Sequence, residues 1–188
     1  KRLTSQFNTV CVYSLDTGKS TRITDGLADA MSPAWDASGK YLAFLASTDY
    51  GLNVGWLDMS SYNQPLNRSL YLAVLGKDEP SPLKPQSEDE EPKAEDKDGK
   101  DEDKKDDDKK DEAKQDDVVV RIDFAGLDQR IIALDVPPRN YERLVAGAAG
   151  TFFYAENVPN QPGLTLHAYD LEKRETTKLT EGILAYRV

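Results

Sequence analysis

One cysteine and one histidine are all this 188-residue chain offers of the two side chains that most often carry metal or nucleophilic chemistry. A lone Cys11 excludes an internal disulfide and any zinc site built on several thiolates. It lies in Thr9-Val10-Cys11-Val12-Tyr13, a strand-like run in which a thiol acts as a small hydrophobe rather than a reactive group. No stretch approaches the ~20 apolar residues of a membrane-spanning helix, and no signal peptide is visible. No cluster of Lys or Arg stands apart from neutralising carboxylates, which argues against nucleic acid as a partner. Helical periodicity is poor, and ten prolines punctuate the chain too often for long helices. The absences leave an all-β reading.

The net charge of −10 belongs to one segment. Ser87 to Asp117 holds 17 Asp or Glu against 8 Lys, a charge of −9, and no aromatic or β-branched residue. Such a segment cannot bury enough surface to offset its chain entropy, so residues 80–117 read as a disordered insertion between two folded parts, 1–79 and 118–188. Calcium is the sharper alternative. Asp96-Lys97-Asp98-Gly99-Lys100-Asp101 fails the EF-hand spacing because its glycine comes two positions early, and its lysines would repel a cation. A flexible spacer is the better account.

The folded parts read as short strands joined by tight turns. Val10 to Tyr13 and Ser20 to Thr24 flank Asp16-Thr17-Gly18-Lys19, a hairpin in which Gly18 supplies the positive φ. Asp36 to Gly39 marks a second turn, leading into Tyr41-Leu42-Ala43-Phe44-Leu45-Ala46, whose unbroken apolar run predicts a strand covered on both faces. Leu70 to Leu75 and Val118 to Phe124 are read as strands flanking the insertion.

An internal repeat orders these pieces. Tyr13 to Gly26 aligns without a gap onto Tyr169 to Gly182, and Ser38 to Phe44 echoes Ala149 to Tyr154. Each unit reads as strand, turn, strand, then turn and a strongly apolar strand, the signature of stacked or propeller sheets. Without the 31 residues from Ser87 to Asp117, 157 remain. At about 40–45 residues per four-stranded blade this makes three to four blades, fewer than most closed propellers hold. The last unit reads as a single hairpin ending at Val188. The expectation is an incomplete β-propeller arc, whose open sheet edges would favour self-association.

Catalytic constellations are not found. His167, in Leu164-Thr165-Leu166-His167-Ala168-Tyr169, alternates onto the face of Thr165 and Tyr169 and reads as a strand residue rather than a general base. No G-x-S-x-G elbow accompanies it. Gly147-Ala148-Ala149-Gly150 lacks the Lys-Ser/Thr of a phosphate loop. Asp123 and Asp135, set among apolar neighbours, read as strand ends, and Trp35 and Trp56 as blade packing. No residue is assigned as catalytic, cofactor-binding or metal-ligating, and no cofactor is expected.

Two segments resemble known families. Ser32-Pro33-Ala34-Trp35-Asp36-Ala37-Ser38-Gly39-Lys40-Tyr41-Leu42-Ala43-Phe44 is similar to the repeat of TolB-type propellers, with Asp-Ala-Ser in place of Ser-Pro-Asp. Ile122-Asp123-Phe124-Ala125-Gly126-Leu127-Asp128-Gln129-Arg130-Ile131-Ile132-Ala133-Leu134, followed by Val136-Pro137-Pro138-Arg139-Asn140-Tyr141, resembles a segment in the propeller region of tricorn-type proteases. Those are self-associating serine peptidases of the S41 class. The resemblance implies a non-catalytic propeller segment that gates or scaffolds oligopeptide access to a catalytic module outside this chain. It implies peptides or unfolded proteins as partners of the parent enzyme, and a periplasmic location with a cytoplasmic one as the alternative. A TolB-like protein-binding propeller without peptidase activity is the rival reading.

Overall fold

The computed structural model describes residues 1–49, 66–84 and 118–187. Within them ten strands form three antiparallel sheets, and a 3-10 turn at Leu127–Arg130 is the single helical element. Strands β1 (Cys11–Tyr13) and β2 (Ser20–Arg22) make a two-stranded sheet. Strands β3 (Asp29–Trp35), β4 (Tyr41–Ser47), β5 (Ser69–Val74) and β6 (Ile131–Ala133) follow one another across a four-stranded sheet. Strands β7 (Tyr141–Ala146), β8 (Thr151–Glu156), β9 (Leu164–Asp170) and β10 (Glu175–Ile183) do the same in a second. Trp56 and the acidic segment Ser87 to Asp117 lie outside the described residues.

The repeat read from the sequence is a repeat of hydrogen-bond register. In the first hairpin Cys11, Val12 and Tyr13 pair with Arg22, Thr21 and Ser20. Shifted by the repeat offset, the same pairs recur as His167 with Lys178, Ala168 with Thr177 and Tyr169 with Thr176. The turn repeats as well. Gly18 adopts φ 64°, and Arg174, in the equivalent place, is held at φ 55°, a conformation that costs a residue with a Cβ about 1 kcal/mol.

Alternation and burial then stack the sheets. Strand β4 is buried from Leu42 to Ala46, as its unbroken apolar run predicts. Its even-numbered residues Leu42, Phe44 and Ala46 pack with Val10 and Ile23 of the hairpin side. Its odd-numbered residues Ala43 and Leu45 join Leu70, Leu72 and Leu134 against Tyr141, Leu144, Phe152, Tyr154, Tyr169 and Leu171 of the β7–β10 sheet. The β3–β6 sheet is therefore the middle layer of three. Full burial of each large side chain in this second seam contributes about 1.5–3 kcal/mol.

Polar bonds fix the seam at its ends. Asp36 is buried; its Oδ2 accepts the Ser38 N–H at 2.9 Å, capping the turn that Gly39 closes. Its Oδ1 crosses the seam to accept the Gly150 N–H at 2.7 Å. The Asp-Ala-Ser departure from the TolB-type turn thus gives one carboxylate two jobs. At the other end Arg68 Nη1 donates to the Tyr141 carbonyl at 2.8 Å.

Three expectations change. Val118 to Phe124 does not form a strand: Val118, Val119 and Val120 are exposed, and β6 is the short run Ile131–Ala133 further along. The apolar run was read from residue type alone, whereas its backbone makes only one bond toward β5, Asp123 N–H to Leu75 O at 3.0 Å. The last unit is not a lone hairpin, because β9 pairs with β8 and completes a four-stranded sheet. The described strands make two four-stranded sheets and one two-stranded hairpin. Trp35 is 42% exposed, since it ends β3, an edge strand with a bulge at Ser32 and Pro33.

Candidate functional site

The densest polar constellation among the described residues stands on the β7–β10 sheet. The pairing of β8 with β9 sets Tyr154 opposite His167 and Glu156 opposite Thr165, so His167 and Glu156 are diagonal neighbours on one face. The His167 ring stacks on Tyr154 with centroids 5.2 Å apart and planes 15° from parallel. Its Nε2 lies 2.9 Å from Glu156 Oε2. The other carboxylate oxygen accepts from Arg139 Nη1 at 3.3 Å. Glu156 is buried, and a buried carboxylate is tolerable only when hydrogen-bonded to such partners. Arg139 carries the chain of contacts out to solvent.

The aromatic wall beside this chain is continuous. Tyr141 meets Tyr154 edge to face at 4.8 Å, and burial pushes both phenols above the usual tyrosine range. Tyr141 Oη donates to the Pro137 carbonyl at 2.7 Å, while Tyr154 Oη bonds Thr176 Oγ1 at 3.0 Å. The His167 Nδ1 is buried and takes no hydrogen bond among the described residues. A general base needs a ring nitrogen in reach of the group it deprotonates. Here Nε2 bonds Glu156, and among the described residues no hydroxyl or thiol bonds Nδ1. The arrangement holds a histidine in place.

The remaining residues singled out in the sequence are dispersed. Asp123 accepts the Lys77 N–H at 3.0 Å, and that bond holds its carboxyl below the usual range. It ties the two ends of the β5–β6 connection together. Asp135 is exposed in the link after β6. Gly147 to Gly150 forms the β7–β8 turn, with the Gly150 amide already bound to Asp36. Cys11 is half-buried on β1. Groups of acidic, His or Cys residues able to hold a metal are absent among the described residues.

The clefts are modest. One of about 230 Å³, between the hairpin and the middle sheet, is floored by Phe44 and Tyr71, stacked 5.8 Å apart, and rimmed by Asp25 and Asp128. Another, of about 320 Å³, gathers Lys40, Arg121, Asp78, Glu79 and Asp123 beside the stem of the insertion. Both are at or below the small end of ligand pockets, about 300–1,000 Å³.

Sequence reasoning named His167 but missed its partners Glu156 and Arg139. A signal was present in Thr151-Phe152-Phe153-Tyr154-Ala155-Glu156. Alternation there places a carboxylate on the face of two buried aromatics, where it must find a cationic or hydrogen-bonding partner.

No family model matches the chain, and no curated protein does. A solved structure does: the crystal structure of the tricorn protease superposes with a TM-score of 0.54 at 19% identity. The match takes in 90% of this chain and 15% of that one. Likeness at this identity is likeness of fold, and it agrees with stacked antiparallel sheets of a partial β-propeller.

Proposed function

We propose that this chain is a non-catalytic β-propeller segment of a tricorn-like serine peptidase of the S41 class. Its task is to gate or scaffold the passage of oligopeptides to a catalytic module outside this chain. The described units make two blades and the outer hairpin of another, each a TolB-like repeat. The observation that carries the reading is the register-for-register repeat of the sheets, stacked through apolar seams, in a chain that matches the tricorn fold over 90% of its length.

Peptide binding checks this reading. Fluorescence anisotropy of mixed-sequence extended oligopeptides should rise with added chain, weakly and with little sequence preference. A Kd on the order of 0.1–1 mM, about 4–5.5 kcal/mol, is expected. Capture of a folded protein with no response to any peptide at millimolar concentration would replace it with the protein-binding propeller.

A further inference from the structure

One place in the sheet repeat is filled in one sheet and open in the other. The stacked pair Phe44 and Tyr71 across β4 and β5 corresponds to the stacked pair Tyr154 and His167 across β8 and β9. Two residues beyond Phe44 stands Ala46, and two beyond Tyr154 stands Glu156. Their partners on the preceding strands are Ala30 and Tyr141. Two residues before these come Ala28 and Arg139. Where the β7–β10 sheet has Arg139, Tyr141 and Glu156, the middle sheet therefore has three alanines.

The three large residues occupy the space beside their aromatic stack. Tyr141 packs edge to face on Tyr154, and Arg139 reaches Glu156, which bonds His167. Ala28, Ala30 and Ala46 instead line the cleft of about 230 Å³ over Phe44 and Tyr71. Its lining runs from Thr24 to Ile131, between the hairpin and the middle sheet, so both of its walls belong to the described fold. The rim carries Asp25 and Asp128. Asp25 Oδ1 accepts the Leu27 N–H at 2.9 Å, and neither carboxylate forms an ion pair among the described residues. Arg22 Nη1 donates to the Asp25 carbonyl at 3.3 Å instead. Residues 47–67, which follow Ala46 in the chain, include no Lys or Arg.

From this comparison we infer that the cleft binds the guanidinium group of a ligand, in the place that Arg139 takes beside Tyr154 and Glu156. The aromatic floor attracts a cation through its ring faces. Asp25 and Asp128 offer it carboxylate acceptors, and charge-assisted bonds to a guanidinium are the stronger kind. A guanidinium also stacks flat on aromatic rings and is more weakly hydrated than an ammonium, so it gives up less on entering. The space admits one side-chain head group rather than a larger molecule. The ligand class is an arginine-like side chain. The inference rests on the sheet repeat and stands apart from the peptidase reading.

Heteronuclear NMR titration of the 188-residue chain with N-acetyl-arginine amide tests it, with the neutral isostere N-acetyl-citrulline amide as the comparison. The arginine compound should give saturable shifts centred on the amides of Phe44, Ala46 and Asp128, and the citrulline compound none. Asp25→Asn keeps an acceptor for the Leu27 N–H, and Asp128→Asn changes an exposed side chain. Each should weaken binding about two- to fivefold, the range of an exposed ion pair. Ala28→Arg supplies a tethered guanidinium, as Arg139 does, and should abolish binding. Absence of saturable shifts overturns the inference, and so does equal binding of the two compounds. A folded Ala28→Arg chain that binds like the wild type overturns it as well. Should that variant lose its far-UV strand signal, the double variant Asp25→Asn with Asp128→Asn decides, unchanged affinity overturning the inference.

Discussion

Replacing Phe152 with alanine should lower the unfolding free energy by about 3–5 kcal/mol, the usual cost of emptying a buried phenylalanine site. Phe152 is fully buried on β8, in the seam with Ala43, Leu45, Leu70 and Leu72 of the middle sheet. Strands on both sides hold the cavity walls apart, so little collapse can relieve it. Against a typical total stability of about 5–15 kcal/mol the loss is about a fifth or more. Phe153 provides the comparison, since it is next in sequence, points to the opposite face and is half-buried. Its replacement by alanine should cost less than half as much. Urea unfolding of both variants measures the difference. Equal losses would mean that the seam does not hold the two sheets together.

Raising the pH above 10 should unfold the chain steeply. Burial, as the leading cause, raises the pKa of Tyr41, Tyr141, Tyr154 and Tyr169, and pushes Tyr186 up to about 12. Tyr141, Tyr154 and Tyr169 are the fully buried members, all in the seam. A tyrosine ionises near pH 10 in the unfolded chain but stays protonated in the folded one. Its contribution to stability is therefore intact below pH 10 and declines as pH climbs toward the folded pKa. Each such group removes about 1.4 kcal/mol per pH unit in that window. Three together steepen the loss, over the range between their unfolded and folded pKa values. Tyrosinate absorbance and far-UV circular dichroism, followed together, should change in one cooperative step between pH 10 and 12. Smooth ionisation of all nine tyrosines near pH 10, with the strand signal intact, would contradict the buried-phenol account.

The sequence carried local structure well and long-range pairing poorly, for a physical reason. The hairpin repeat is legible because turn geometry and strand register are set within about a dozen residues, as Gly18 and the Tyr13–Ser20 pair show. The doubly covered β4 is legible because burial on both faces requires an unbroken apolar run. What pairs with what after the insertion is not local. Val118 to Val120 has strand composition yet stays exposed, because β5 is paired with Ile131–Ala133 instead. The bond from Asp36 to Gly150 spans 114 residues, and nothing near Asp36 announces it. Alternation placed His167 on the correct face, with Thr165 and Tyr169. Its hydrogen-bond partner Glu156 lies across a strand pairing that one strand's pattern does not encode.

Incubating the purified chain with an oligopeptide library and reading the products by mass spectrometry tests the central claim, that this chain handles peptides without cutting them. Every peptide should be recovered intact, for the wild type and for His167→Ala alike. Cleavage by the wild type that disappears in His167→Ala would place a catalytic centre on β9 and contradict the account.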